Sequence, residues 1–289
     1  MKAKVYFSRE ITPEKVVELY RLCGRGLPGK VAVKVHSGEE GNQNFLRPDF
    51  WKPMVERVHG TVVECNTAYD GARNVTPKHI ELLRKHGWSA YFDVDLLDAE
   101  GPDLELAIPN GHRIKKNFIG KNTANYDSML VLSHFKGHPM GGFGGAIKQL
   151  SIGVASSYGK KYIHGAGSTD NYFATEQDKF LESMADAASS VVDYFKGNTV
   201  FINVMKNLSV DCDCCAVAED PCMKDIGILA SLDPIAIDRA CLDLIYASKD
   251  RGRDHFIERV ESRNGAHTLD AAAELGFGGL EYELTEVGV

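Results

Sequence analysis

The sequence predicts an α/β protein: largely parallel or mixed sheets, flanking helices, and two lobes with a cleft between them. Three observations predict it. Short apolar, β-branched runs ("KVYF", "VAVKV", "TVVEC", "SMLVLS", "TVFINV") recur along the chain. Segments with helical periodicity and N-terminal cap signals lie between several of them. The 289 residues, 44% hydrophobic and 25% charged, suffice for a large packed core. Strand–helix alternation of this kind indicates parallel wiring.

The first strand is "KVYF" (Lys4–Phe7). Thr12 then caps a helix with Pro13 at its first position, and Val16, Val17, Leu19 and Tyr20 fall on or near one face. Gly26 and Pro28-Gly29 mark a turn before the buried strand "VAVKV" (Val31–Val35). A helix over Phe50–Val58 leads through Gly60 to the strand "TVVEC". Thr76-Pro77 opens a helix that ends at Gly87. Between Tyr91 and Ile119 the pattern changes: "ELAIP" and "RIKKNF" flank Asn110-Gly111, a hairpin signal. "SMLVLS" (Ser128–Ser133) is a second fully buried strand. A helix over Thr175–Phe195, the strands "TVFINV" and "IGILAS", and a helix over Asp233–Ala247 restore the α/β pattern. Asp233 supplies an N-cap and Pro234 the first helical position. The expected division is an N-terminal lobe of residues 1–126 and a C-terminal lobe of residues 127–289, with a single elaborated domain as the alternative.

The formal charge is −7 and no basic run exceeds two residues, so a nucleic-acid partner, which needs a clustered positive face, is not expected. No segment approaches the roughly 20 apolar residues that span a bilayer. The opening "MKAKVYFSRE" has no signal-peptide run. The expectation is a cytoplasmic protein with a small-molecule substrate and no membrane partner. Four of the seven cysteines lie between Cys212 and Cys222. An odd count fits free thiols or a metal site better than a disulfide framework.

Chemistry concentrates in "HFKGHPMGGFGGAIK" (His134–Lys148), which directly follows a buried strand. In doubly wound sheets ligands bind beyond such strand ends. Gly141, Gly142, Gly144 and Gly145 would let the backbone approach a ligand closely. The spacing matches neither a phosphate-binding loop nor a dinucleotide fingerprint. A second loop, "HSGEEGNQNFLRP" (His36–Pro48), follows Val31–Val35, and its Arg47 is suited to a bidentate pair with a substrate carboxylate. In "DCDCC" (Asp211–Cys215), an extended backbone points Cys212 and Cys214 the same way. Two thiolates on one face suit zinc or iron, helped by a histidine or carboxylate. Asp211 and Asp213 are expected to raise the thiol pKa values by like-charge repulsion. Packing in a turn and a redox thiol pair stand beside the metal reading.

The segments "VAVKVHSGEEGNQNFLRP", "DSMLVLSHFKGHPMGGFGGAIKQLSIGVASSYGKKYIH", "NVMKNLSVDCDCC" and "DIGILASLDPIAIDRACLDL" together closely resemble the family catalogued as domain of unknown function 362. Many members carry a two-cluster ferredoxin insert. This chain has no cysteine in "YGKKYIHGAGSTDNYFATEQDKF", so an iron–sulfur cluster of the ferredoxin type is not expected. His138, Gly-Gly-Phe-Gly-Gly, Lys148 and His164 also resemble the lactate racemase family, with similar spacing. That resemblance implies a proton-transfer role for His138, a nickel-pincer cofactor anchored on Lys148, and nickel ligation by His164. Arg47-Pro48 loosely resembles that family's substrate-binding turn. The racemase's second base has no counterpart, since Asn66-Thr67-Ala68 stands in its place. His36 and His134 are the candidates to replace it. The expected function is that of an oxidoreductase or isomerase acting on a small hydroxy or carboxylate compound with nickel, zinc or iron. The alternative is a metal-binding or electron-transfer accessory that uses Asp211–Cys215 and docks a separate ferredoxin.

Overall fold

The computed structural model describes residues 2–288. Strand β1 (Ala3–Ser8) leads to helix α1 (Pro13–Leu22), β2 (Val31–Lys34) to α2 (Pro48–Val58), and β3 (Thr61–Glu64) to α3 (Thr76–Lys85) and the single turn α4 (Trp88–Tyr91). Four strands come next: β4 (Val94–Leu96), β5 (Leu104–Ala107), β6 (Lys116–Ile119) and β7 (Ser128–His134). Short β8 (Lys136–His138) and β9 (Gly142–Gly144) precede α5 (Ala146–Val154), α6 (Ser157–His164) and α7 (Gln177–Tyr194). The chain closes with β10 (Thr199–Met205), β11 (Gly227–Ser231), α8 (Pro234–Ala247), α9 (Arg253–Ser262), α10 (His267–Glu274) and β12 (Tyr282–Glu286).

Local signals act as their chemistry dictates. Thr12 Oγ1 accepts the Lys15 amide at 3.2 Å, with Pro13 opening α1. Asp233 Oδ1 accepts the amides of Ile235 and Ala236, each at 2.9 Å, and Pro234 opens α8.

The expected α/β class, with a largely parallel sheet and flanking helices, is the observed one. Eight strands form one sheet in the order β12-β1-β11-β10-β7-β2-β3-β4. Neighbours pair in parallel except at β11, which is antiparallel to both β1 and β10. The reason is the connection: β10 reaches β11 through residues 206–226, which contain no crossover helix. Strands from both sides of the expected boundary at 126/127 share this sheet.

Both faces of the sheet are covered. Val31, Val33, Leu130, Leu132 and Ile202 pack in one apolar layer with residues of α1 and α2. Ala32, Met129, Val131 and Phe201 face the opposite layer, with residues of α5, α7 and α8. This alternation explains why the strands read as continuous apolar runs.

Two expectations are corrected. Asn110-Gly111 does not make a tight two-residue turn, although β5 and β6 do pair as an antiparallel hairpin. Their connection is long, and Asp186 on α7 holds it by accepting the amides of His112, Arg113 and Ile114 at 2.6, 2.7 and 2.9 Å. The glycine-rich stretch is not an open loop either. Its β8 and β9 pair with each other, and every residue from His134 to Ile147 except Pro139 and Met140 is buried.

The chain runs outward in one direction through β2, β3 and β4, and in the other through β7 and β10. The order therefore reverses between β2 and β7. Loops leaving the carboxyl ends of these two strands diverge there, which opens a crevice.

Candidate active site

A cavity of about 260 Å³ lies at this crevice. Lys34 and His36 reach it from the end of β2, Glu64 and Arg73 from the end of β3 and beyond, and His138 from β8. Lys148 comes from α5, Lys160 and His164 from α6, and Cys214 from the loop after β10. The three residues singled out together from the sequence, His138, Lys148 and His164, thus face one space.

Hydrogen bonding fixes a different role on each imidazole. His138 Nδ1 accepts the amides of Met140 at 3.1 Å and Gly141 at 2.9 Å. A nitrogen that accepts carries no proton, so the neutral ring bears its hydrogen on Nε2. His36 Nδ1 accepts the Gly38 amide at 3.1 Å, with the same result. His164 is reversed. Its Nδ1 lies 2.7 Å from the Lys160 carbonyl, which only accepts, so Nδ1 carries the proton and Nε2 keeps its lone pair. Phe180 stacks on the His164 ring at 4.8 Å and Phe173 meets it edge-on at 5.4 Å, which holds the ring still.

All three rings are held neutral. Burial pushes His36 down to about 4, with Arg73 adding to it. Burial pushes His164 down to about 3, with Lys148 and Lys160 adding to it. His138 is lowered by burial and then by Lys148. Cationic neighbours in a desolvated pocket disfavour imidazolium unless an anion offsets their charge.

His134 lies apart from these. Its Nδ1 sits 2.9 Å from Asp213 Oδ1 and its Nε2 faces the Lys206 carbonyl, so both nitrogens are spent on acceptors. It does not line the cavity and has no free nitrogen to serve as a base. Arg47 is exposed and stacks on the Phe45 ring at 3.9 Å, outside the cavity. Phe45 offers it an aromatic face where the sequence suggests a substrate carboxylate.

The glycines also differ from expectation. A Cβ on Gly145 would lie 2.2 Å from Asp238 Oδ1, and one on Gly142, where φ is +78°, 2.9 Å from the Gly265 backbone. A Cβ on Gly141 would meet Met184 at 3.4 Å, and one on Gly144 the Lys148 side chain at 3.3 Å. Gly142 and Gly145 are small so that the chain can pack on itself, whereas the contacts at Gly141 and Gly144 would not exclude a side chain. The amino end of α5 is already filled: Asp238 accepts the amides of Ala146 at 2.7 Å and Ile147 at 2.9 Å. Burial pushes that carboxyl up to about 6, against the pull of those two amides.

The cysteine turn is held from outside. Asn42, Gln43 and Asn44 of the loop after β2 donate to backbone carbonyls of Cys215, Ala218 and Glu219, each at 2.8 Å. Asp213 turns away from the thiols to His134 and to Lys136 Nζ at 3.0 Å. Despite burial, these two partners hold its carboxyl well below the usual range. The expected like-charge repulsion is weak, because Asp213 is neutralised by its partners, and Asp211, paired with Arg259 at 3.0 Å, acts only as the smallest influence on Cys215. Burial would raise the Cys212 thiol, but hydrogen bonding from Cys214 and the charges of Lys148 and Lys136 bring it well below its ordinary value. The thiolate sulfur lies 3.9 Å from Lys148 Nζ and 3.3 Å from the Cys214 amide.

One ligand atom each from His138, Cys212 and Cys214 lies within 4.8 Å of the others, near enough to share an ion. The sulfurs suit a soft or borderline metal. His138 fits poorly, since ligation through Nε2 requires a lone pair where its hydrogen sits.

Sequence reasoning missed several lining groups. Lys34 is fully buried and 2.7 Å from Glu64, whose other oxygen accepts the Ser37 amide at 2.8 Å. Both interrupt apolar runs on adjacent strands ("VAVKV", "TVVEC"), a signal open to reading because unpaired charges are almost never buried. Arg73 links Glu39 at 3.2 Å and Glu64 at 3.8 Å. Lys160 stands one helical turn before His164 and donates to the Ala155 carbonyl. Among the described residues, neither Lys148 nor Lys160 pairs with a carboxylate.

The chain belongs to the family of domain of unknown function 362, whose model matches residues 31–243. No curated protein matches it. Among solved structures, it is similar to the lactate racemase apoprotein from Thermoanaerobacterium thermosaccharolyticum, at 14% identity and a TM-score of 0.42, over 69% of this chain and 50% of that one. It is also similar to a protein from Thermotoga maritima, at 12% identity and a TM-score of 0.46, over 91% of this chain and 59% of that one. The chain spans half to about three fifths of the length of these two structures.

Proposed function

We propose that this member of the family is an enzyme that binds a small hydroxy or carboxylate compound in the cavity and moves a proton on it, within a redox or isomerisation reaction. The observation that carries the reading is an excess of cations beside one free lone pair. Lys34, Arg73, Lys148 and Lys160 line the cavity against the single carboxylate of Glu64. Lys34 and Arg73 are spent on that carboxylate and on Glu39. Lys160, and Lys148 beside the Cys212 sulfur, face the cavity to hold an incoming anion. His164 Nε2 then accepts the proton, since it is the one imidazole nitrogen lining the cavity with a lone pair to give. His138 and His36 act as neutral N–H donors toward developing negative charge, as preorganised donors do in a low-dielectric site.

A nickel-pincer cofactor fits the donor set in part. Lys148 offers an amine without a carboxylate partner and His164 an available lone pair. Such a group would supply hydride acceptance, while the chain's own residues bind the anion and hold the proton. Proximity of His138, Cys212 and Cys214 favours a second reading, a metal-binding or electron-transfer accessory that docks a separate ferredoxin.

The test is exchange of the carbon-bound hydrogen of lactate and related 2-hydroxy acids in deuterated water, with elemental analysis and intact mass of the same sample. Exchange by the wild-type protein and its loss in His164→Gln support the proposal. Exchange unchanged in His164→Gln refutes it. Bound metal with no exchange on any acid favours the accessory reading.

A further inference from the structure

We propose that Cys212 and Cys214 form a redox-active dithiol, which closes to a disulfide by exchange with small anionic disulfides entering the cavity. The inference rests on the reading of the cavity as one that admits small anions, and adds to it an electron-carrying group.

The Cys212 sulfur is surrounded by donors. It receives the Cys214 amide at 3.3 Å and faces Lys148 Nζ at 3.9 Å, while His138 Nε2 stands 3.8 Å from the neighbouring Cys214 sulfur. His138 presents a hydrogen there because backbone amides occupy its other nitrogen. Such a shell suits a sulfur anion. It does not suit a metal ion, which would need lone pairs from the same directions.

The second sulfur is placed to react with the first. Cys212 and Cys214 share a cluster whose ligand atoms all lie within 4.8 Å of one another. Asp213 between them is anchored by His134 and Lys136. Access is ordered. Cys214 lines the cavity, whereas Cys212 is fully buried behind it.

The exchange takes two steps. Cys214 passes its thiol proton to the adjacent Cys212 thiolate and attacks one sulfur of a small disulfide, forming a mixed disulfide and expelling one small thiolate, which takes that proton from Cys212. The Cys212 thiolate then attacks the Cys214 sulfur, forming the Cys212–Cys214 bond and expelling the second thiolate. Each protein sulfur loses one electron, the small disulfide gains two, and the Cys214 proton ends on a leaving thiolate. Donors that stabilise the reduced form make the disulfide a ready oxidant. Lys148 and Lys160 favour an anionic reagent over a cationic one.

The experiment treats the reduced full-length protein with dithiodipropionate, a dianion, or with cystamine, a dication. Intact mass and peptide mapping follow the reaction, with zinc titrated into a parallel sample. Expected are loss of two hydrogens, a Cys212–Cys214 cross-link, and a rate about 10-fold or more higher for the dianion. Cys212→Ser should stop at a mixed disulfide on Cys214, and Cys214→Ser should form no cross-link. A cross-link through Cys215 or Cys222 instead, a lasting mixed disulfide on wild-type Cys214, equal rates with both reagents, or stoichiometric zinc that blocks oxidation would each overturn the proposal. The two readings fail separately. Exchange on 2-hydroxy acids without a cross-link removes the dithiol alone, and a cross-link without such exchange removes the proton transfer alone.

Discussion

His138 Nδ1 lies 2.9 Å from the amide nitrogen of Gly141, so the ring that the sequence offers as a base is held as a hydrogen-bond donor. Nitrogen-15 spectra of the histidine rings near pH 7 should show His36 and His138 protonated at Nε2, and His164 at Nδ1. A His138 ring protonated at Nδ1 would reverse the assignment of roles in the cavity.

Acid should destabilise the fold through the buried imidazoles. An unfolded histidine takes up its proton near pH 6.5, whereas His36 and His164 in the fold do so at about 4 and about 3. Between those values the unfolded state binds more protons, so stability present above pH 6.5 is lost as pH falls. Each such group contributes on the order of 1.4 kcal/mol per pH unit within its window. Urea titrations from pH 7 to pH 4.5 should show the loss, and His164→Gln should flatten the slope by about one proton. A slope indifferent to that substitution would contradict the buried neutral ring.

Asp213→Ala should be among the most damaging single changes in the chain. It leaves Lys136 and His134 buried without their shared carboxylate, at a cost of about 3–5 kcal/mol. Equilibrium unfolding in urea measures it. A loss below about 1 kcal/mol would mean that Lys136 and His134 find water instead.

Gly145→Ala should cost about 2 kcal/mol, because its Cβ would lie 2.2 Å from Asp238 Oδ1. The Gly145→Ala, Asp238→Ala double variant relieves the clash, so the two effects should fall well short of additive. Additive effects would show that the glycine serves something other than this contact.

Lys160→Met should weaken binding of a small carboxylate about 10-fold, or about 1.4 kcal/mol, by calorimetry. Arg47→Ala should leave it unchanged, since that guanidinium rests on Phe45 outside the cavity. The opposite pattern would relocate the anion site to the loop after β2.

Much of the frame was legible in the residues. Thr12-Pro13 and Asp233-Pro234 mark helix starts by side-chain chemistry that needs no distant partner. Runs such as Ser128–Ser133 announce strands covered on both faces. His138, Lys148 and His164 were legible as companions because their spacing resembles a known arrangement. Arg47 misled, since an arginine beside a proline in a polar loop carries no sign of which partner it will find. Lys34 and Glu64 were visible as charges inside apolar runs, yet their pairing depends on β2 lying beside β3.

Local periodicity and capping were enough to set the α/β class, most helix starts, and which short stretches hold reactive side chains. The state of those side chains came from the folded arrangement alone. Which nitrogen of His138 or His164 carries a proton depends on a backbone amide or carbonyl placed beside it by the fold. Whether Cys212 is a thiolate depends on Lys148, 64 residues away, and on Asp213 being turned toward His134 and Lys136. Protonation and charge are set by neighbours in space, and a linear chain does not name them.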